Sequence, residues 1–166
     1  MKKILFLLFI IIALGYWANA NRNELAVWFN TDSFYRPIYT GNINVLQSGS
    51  TIHAELKPSY DVRHGFFITF PCESVMPEFF SGLDGSIRYT FRAEGVELMS
   101  KAVSFPSNPI SGMNDDHCDI ALFTFDLPFE GHESITLDVT IESPITKLAA
   151  YQKEMKCEVS PAYWPK

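Results

Sequence analysis

The segment Asn114–Asp119, with the sequence NDDHCD, brings three carboxylates, an imidazole and a thiol together within six residues. Such groups bind metal ions, and a thiol can instead form a disulfide. Zinc and calcium sites space their ligands so that several side chains converge on one ion, whereas contiguous side chains point in different directions. The four candidate ligands are Asp115, Asp116, His117 and Asp119. We therefore predict no metal site and no cofactor, and interpret the segment as a polar loop that leads into a strand.

Catalytic motifs are the second kind of chemistry to look for. Nucleophilic catalysis needs a Ser or Cys beside a His that a carboxylate holds, but the chain has no GxSxG, HExxH, P-loop or dinucleotide motif. Paired glycosidase carboxylates leave no sequence signature, so they stay an open alternative. The histidines fall at positions typical of a surface: His53 on the outward side of a strand, His64 and His132 in hairpin turns, and His117 in the loop. We predict that the protein is not an enzyme.

Residues 1–20 have the pattern of an export signal. Lys2 and Lys3 precede an apolar run from Ile4 to Leu14, and Ala18-Asn19-Ala20 is the small-x-small pattern of a signal peptidase site. A membrane anchor needs about 20 apolar residues, and this run is roughly half that length. We predict a cleaved signal, a location in the bacterial periplasm or exterior, and no membrane insertion after cleavage.

The mature chain, residues 21–166, carries a strong excess of acid. It has 146 residues, of which 11 are Lys or Arg and 19 are Asp or Glu, so its net charge is −8. Nucleic acids and anionic membranes bind clustered cations, so neither is an expected partner. The length fits one domain with a substantial core.

The mature chain is patterned for strands throughout. In ESITLDVTIES the apolar residues Ile135, Leu137, Val139 and Ile141 alternate with polar ones without an interruption, which is the period of a half-buried strand. Similar short segments are separated by turn signals such as Asp84-Gly85. This pattern predicts an all-β fold, an antiparallel Ig-like β-sandwich of seven to eight strands, with a closed barrel as the alternative.

The chain has three cysteines, Cys72, Cys118 and Cys157. An odd number allows one disulfide and a free thiol, or a bond to another chain. In an Ig strand order, the strands that carry Cys118 and Cys157 begin at the same end of the sandwich, and Cys72 lies at the other end. We therefore predict a Cys118–Cys157 disulfide, which would close a loop of about 40 residues and contribute roughly 4 kcal/mol.

Two groups of residues are candidates for contact with a partner protein. Phe79 and Phe80 lie in the irregular segment between Cys72 and Gly85, and aromatic residues are enriched at interfaces. Asp115, Asp116 and Asp119 would form an acidic rim. The alternative for the aromatic residues is that they close an open end of the sandwich.

With this strand order, the mature chain resembles a group of small exported bacterial β-sandwich proteins of uncharacterised function. Some of that group are immunity proteins against contact-dependent or type VI secreted toxins. The similarity covers Ser48 to Val159 and rests on two segments, SGSTIHAELKPSYDVRHGFFITF and DIALFTFDLPFEGHESITLDVTIESP. It implies a periplasmic protein-binding module that neutralises a secreted antibacterial toxin.

The alternative function is a structural or adhesive surface module, either pilus-like or carbohydrate-binding. A donor-strand pilin carries an alternating N-terminal extension that completes a neighbouring subunit's sheet. The corresponding segment here, NRNELAVWFNTDSF, is short.

Overall fold

The chain folds as an antiparallel β-sandwich, which confirms the predicted fold class. The computed structural model describes residues 2–57, 60–71, 82–105, 111–113, 117–126 and 135–163. Within them, nine strands form one sheet of five and one sheet of four. The alternation of buried and exposed residues along the strands places the apolar side chains between the two sheets.

Three helices precede the first strand. They are α1 (Lys2–Ala20), α2 (Arg22–Phe29) and the single turn α3 (Thr31–Phe34). Among the described residues, no helix is both long enough and apolar enough to span a bilayer. Phe34 is buried at the end of α3 and contacts the rings of Tyr60 and Tyr163, so this turn packs against the sandwich.

Sheet A contains five strands in the order β1-β9-β3-β7-β6. These strands are β1 (Tyr39–Gly41), β3 (His64–Pro71), β6 (Ser111–Met113), β7 (His117–Phe125) and β9 (Lys156–Pro161). Every neighbouring pair is antiparallel, and the central strand β3 pairs with β9 on one side and with β7 on the other.

Sheet B contains four strands in the order β2-β8-β4-β5. They are β2 (Thr51–Leu56), β4 (Ser86–Ala93), β5 (Val96–Ser104) and β8 (Ile135–Ser143). A 3₁₀ helix, Thr146–Tyr151, connects β8 to β9. Strand β8 shows the strict alternation predicted from ESITLDVTIES, with Ile135, Leu137, Val139 and Ile141 buried.

The chain crosses from one sheet to the other at every connection except the β4–β5 and β6–β7 hairpins. This strand order is that of a jelly roll with one added strand, β6. The Ig order used to place the cysteines differs, because it puts β3 beside β8 and moves β7 to the opposite sheet. In the structure β3, β7 and β9 share sheet A, and β8 lies in sheet B.

Aromatic rings join the two sheets in the centre of the core. Phe123 of sheet A stacks on Tyr89 of sheet B with ring centroids 4.1 Å apart, and it also stacks on Phe66 at 5.5 Å. Phe91 and Phe125 make a second contact between the sheets at 4.8 Å. Offset or tilted aromatic pairs at these distances add to the stabilisation from burial alone.

Candidate functional site

The structure places one of the five predicted partner-binding residues. Asp119 lies on β7 with its side chain on the outer face of sheet A, because its neighbours Cys118 and Ile120 are buried on the inner face. Phe79, Phe80, Asp115 and Asp116 lie outside the described residues, and their predicted role is not tested. The outer face of sheet A around Asp119 is therefore the part of the predicted site that can be built from the structure.

The strand register defines the neighbours of Asp119 on this face. Thr69 of the central strand lies directly opposite Asp119 and, on its other side, opposite Lys156 of β9. Two residues before Thr69 on β3, and on the same face, Phe67 lies opposite Glu158 of β9. Asp119 and Glu158 therefore flank β3 diagonally, one on each neighbouring strand.

The two carboxylates repel each other. Burial raises the pKa of Glu158, and the negative charge of Asp119 raises it further, while a hydrogen bond from Ser160 lowers it. Neither carboxylate forms an ion pair with any described residue. Lys156 lies on the same face but beyond ion-pair distance of both. The face thus holds two carboxylates on either side of β3, and neither has an ion-pair partner among the described residues.

A buried hydroxyl lies on β3, between the strands β7 and β9 that carry the two carboxylates. Thr69 Oγ1 is shielded from solvent and has no hydrogen-bond partner among the described residues. Leaving a buried hydroxyl without a partner costs about 1–3 kcal/mol. We call Thr69, Asp119 and Glu158 the acidic cluster; Glu158 accepts a hydrogen bond from Ser160 at 3.5 Å, and neither Asp119 nor Thr69 Oγ1 has a side-chain hydrogen-bond partner among the described residues.

The burial of Glu158, together with its repulsion from Asp119, predicts a pH-dependent effect of Glu158→Gln. The pKa of Glu158 is higher in the folded protein than its ordinary value of 4.5. At pH values between these two pKa values, the folded protein therefore binds more protons than the unfolded chain. Stability therefore falls as pH rises through that window. We expect the Gln variant to be more stable than the wild type at pH 7 by about 0.5 kcal/mol, with no gain at pH 4. Urea unfolding at both values measures this, and an equal difference at pH 4 and pH 7 would contradict it.

The predicted Cys118–Cys157 disulfide is wrong. Cys157 is a free, fully buried thiol, and burial raises its pKa to about 12. Cys118 is not a free thiol. Strand β3 lies between β7 and β9, with Phe70 opposite Cys118 and Ile68 opposite Cys157. Two strand spacings separate the cysteines by roughly 10 Å, whereas bridged Cα atoms lie about 4.4–6.8 Å apart.

Peptide mapping under non-reducing conditions should therefore link Cys118 to Cys72. Cys72 follows Pro71 directly in the chain, and Pro71 is paired with His117. Because a thiol with this raised pKa and no exposure reacts poorly, Cys157 should resist iodoacetamide until the protein is unfolded. After unfolding without reduction, one alkylated cysteine per chain, Cys157, should be detected. A peptide that joins Cys118 to Cys157, or rapid alkylation of the native protein, would contradict this assignment.

The histidines are distributed differently from the sequence prediction at two positions. His53 lies on the exposed side of β2, as predicted. His64 is the first residue of β3 and is buried, instead of lying in a hairpin turn, and His117 begins β7 instead of lying in the loop before it. His132 lies outside the described residues. Across the part of the chain that the structure describes, no group of His, Cys, Asp or Glu residues is arranged to hold a metal ion.

A network of ion pairs covers the outer face of sheet B. Asp138 of β8 contacts His53 Nδ1 at 2.5 Å and also pairs with Arg92, which reaches Glu97 at 3.9 Å. Asp138 and His53 match two members of a catalytic triad in residue type, and Thr90 is the nearest hydroxyl across the sheet from Asp138. The sheet places Thr90 on the side of Asp138 away from His53, so the imidazole does not face that hydroxyl. Exposed pairs of this kind contribute about 0–1 kcal/mol each.

Comparison with known proteins supports the fold. No family model and no curated protein matches the chain. A solved protein from Sulfurospirillum deleyianum aligns with a TM-score of 0.50 and 9% identity, over 76% of this chain and 98% of that one.

Two further solved structures align less well. One is a carbohydrate-binding module with specific mannan recognition, with a TM-score of 0.40 and 8% identity over 72% of this chain and 67% of that one. The other is a 4-O-methyl-α-glucuronidase specific for decorated arabinogalactans, with a TM-score of 0.37 and 8% identity over 77% of this chain and 18% of that one. These two similarities are too low to bear on fold or function.

Proposed function

We propose that the mature chain is an exported protein-binding module of the immunity type, which neutralises a secreted antibacterial toxin by binding it directly. The observation that carries this proposal is the acidic cluster. Two carboxylates flank the central strand of sheet A without an ion-pair partner among the described residues, and a buried hydroxyl without a described hydrogen-bond partner lies on the strand between them. A partner that brings a positive charge to this face would relieve the repulsion between the two carboxylates.

The chemistry of the acidic cluster indicates a basic side chain on the partner. A guanidinium carries five N–H donors and a delocalised positive charge, and the cluster offers the carboxylate acceptors of Asp119 and Glu158. An arginine laid across β3 can satisfy these acceptors together. The charge of −8 for the mature chain would also accelerate encounter with a basic partner.

Two features support the immunity role more specifically. The predicted export signal would bring the protein to the compartment that a secreted antibacterial toxin enters. The resemblance to exported sandwich proteins implies the same role. A preformed sheet face also suits an inhibitor, because a rigid surface loses little conformational freedom on binding.

Co-expression with the product of the adjacent upstream gene tests the proposal directly. We expect the two proteins to copurify, and expression of the mature chain in the periplasm to restore growth of cells that export that product. Failure to bind or protect against any neighbouring gene product would overturn the immunity role. Spontaneous polymerisation or glycan binding in its place would support the adhesive alternative.

A further inference from the structure

A polar cavity of about 220 Å³ lies beside the N-terminal end of β3, away from the acidic cluster. Its walls include Ser33 and Arg36 from the segment around α3, Tyr60 from the loop before β3, and His64 from β3 itself. Ligand cavities for drug-sized molecules are commonly about 300–1,000 Å³. The smaller volume here therefore suits a ligand the size of one sugar or one amino acid.

His64 lines this cavity, and its hydrogen bond determines which ring nitrogen can accept a hydrogen bond from a ligand. Only 1% of the residue is exposed, and its Nδ1 lies 2.7 Å from the carbonyl oxygen of Val62. A carbonyl can only accept, so Nδ1 carries the proton and Nε2 keeps its lone pair. Burial lowers the pKa of His64, although the bond to Val62 opposes that effect. Nε2 forms no hydrogen bond with a described residue.

Arg36 supplies a positive charge at the same cavity. The other four arginines of the chain, Arg22, Arg63, Arg88 and Arg92, each lie within ion-pair distance of a carboxylate. Arg36 has no such partner in the described part of the chain. A guanidinium without a carboxylate is suited to bind one bidentately. The same charge disfavours a metal ion at Nε2.

Two aromatic residues also line the cavity. Phe34 is buried, and its ring lies 4.7 Å from the ring of Tyr60. Both residues line the cavity. Such a wall packs against the C–H groups of a ligand that carries its polar atoms at its edges, and the hydroxyls of Tyr60 and Ser33 add further hydrogen-bonding groups.

We infer that this cavity binds a hydroxycarboxylate of monosaccharide size, with its carboxylate on Arg36 and a hydroxyl that donates to His64 Nε2. A hexuronic acid has this combination of groups. The inference does not depend on the proposed immunity function, because the cavity residues and the acidic cluster share no member.

Calorimetric titration of the mature chain with three probes tests this inference. D-Galacturonate has both groups, D-galactose lacks the carboxylate, and cyclohexanecarboxylate lacks the hydroxyls. We expect galacturonate to bind at least about tenfold more tightly than galactose, because a hydrogen bond to a charged group contributes about 1.5–3 kcal/mol. We also expect it to bind more tightly than cyclohexanecarboxylate, which lacks the hydroxyl for His64 Nε2. Equal binding of the three compounds, or no binding of galacturonate, would overturn the inference.

Two variants locate the binding site. Arg36→Gln changes an exposed residue, so the fold should be retained, and we expect at least a tenfold loss of galacturonate affinity, on the order of one charged hydrogen bond. Arg63→Gln is the matched control, because Arg63 pairs with Asp126 at 3.2 Å and does not line the cavity; its affinity should be unchanged. His64→Asn keeps a donor for Val62 but removes Nε2, and it should also weaken binding. Wild-type affinity in Arg36→Gln, or an equal loss in Arg63→Gln, would overturn the assignment.

Discussion

Replacing Phe123 with alanine should lower the free energy of unfolding by about 3–5 kcal/mol, as large-to-small substitutions of core aromatic residues do. Phe123 belongs to β7 in sheet A, and its ring stacks on Tyr89 of sheet B and on Phe66 of the neighbouring strand β3. Its removal would leave a cavity between the sheets. Since domains of this size have a total stability of roughly 5–15 kcal/mol, the variant would lose a large part of it.

Phe67→Ala is the matched control for that experiment. Phe67 lies on β3 next to Phe66, but its side chain is on the outer face of sheet A and is only partly buried. We expect a loss of about 1.5 kcal/mol or less, because less apolar surface returns to water. Urea unfolding followed by far-ultraviolet circular dichroism measures both variants. A Phe123→Ala loss no larger than that of Phe67→Ala would show that the aromatic contact between the sheets is not central to stability.

Gly85→Ala should also be strongly destabilising, by about 3 kcal/mol. Gly85 has a φ of 96°, a conformation that costs a residue with a Cβ about 1–3 kcal/mol. A Cβ there would also lie 2.7 Å from the carbonyl oxygen of Pro144 and 2.8 Å from that of Ser143. These contacts are with backbone atoms, so relief of the clash requires the chain after β8 to move.

Gly95→Ala separates the two causes. Gly95 has a similar φ of 82° in the β4–β5 hairpin, but a Cβ at that position meets no atom within 4 Å. We expect a loss of about 1 kcal/mol from the backbone conformation alone. The difference between the two variants, measured by urea unfolding, reports the clash at Gly85. Equal losses would show that the contact with Pro144 and Ser143 contributes nothing.

Hydrogen bonds to the preceding residue, Asp84, hold the turn at Gly85 in place. Asp84 accepts hydrogen bonds from the backbone N–H groups of Thr146 and Lys147, at 3.1 and 3.2 Å, at the start of the 3₁₀ helix. A bond from the Thr146 hydroxyl is the main cause of its lowered pKa. The sequence pair Asp84-Gly85 thus predicted a turn, but its contact with the segment after β8 depends on tertiary structure that turn chemistry does not encode.

Period-two alternation predicted which residues face the core, because that property is local to each strand. Ile135 to Ile141 on β8 are buried at every second position, as ESITLDVTIES predicted. Alternation does not say which strands are neighbours. The Ig order therefore placed Cys118 and Cys157 correctly at the starts of two strands that run in the same direction, but it did not reveal that β3 separates them.

The acidic cluster was only partly predictable for the same reason. Asp119 was selected from the sequence because it follows two other aspartates, and the alternation around Cys157 would place Glu158 on an outer face. That these two carboxylates flank the same strand follows only from the pairing of β3 with both β7 and β9. His64 was predicted from the sequence to lie in a hairpin turn, although His64 continues directly into the apolar segment GFFITF, with which it forms β3.

The central claim is that a basic partner binds the acidic cluster. It is tested most directly by the affinity of the proposed toxin, the product of the adjacent upstream gene, for the wild type and for the double variant Asp119→Asn/Glu158→Gln. Glu55→Gln is the control, since Glu55 is an exposed carboxylate on sheet B that pairs with Lys57. We predict at least about a tenfold loss of affinity in the double variant, a weaker dependence of its affinity on salt, and wild-type binding by the control. Unchanged affinity and salt dependence in the double variant would contradict the claim.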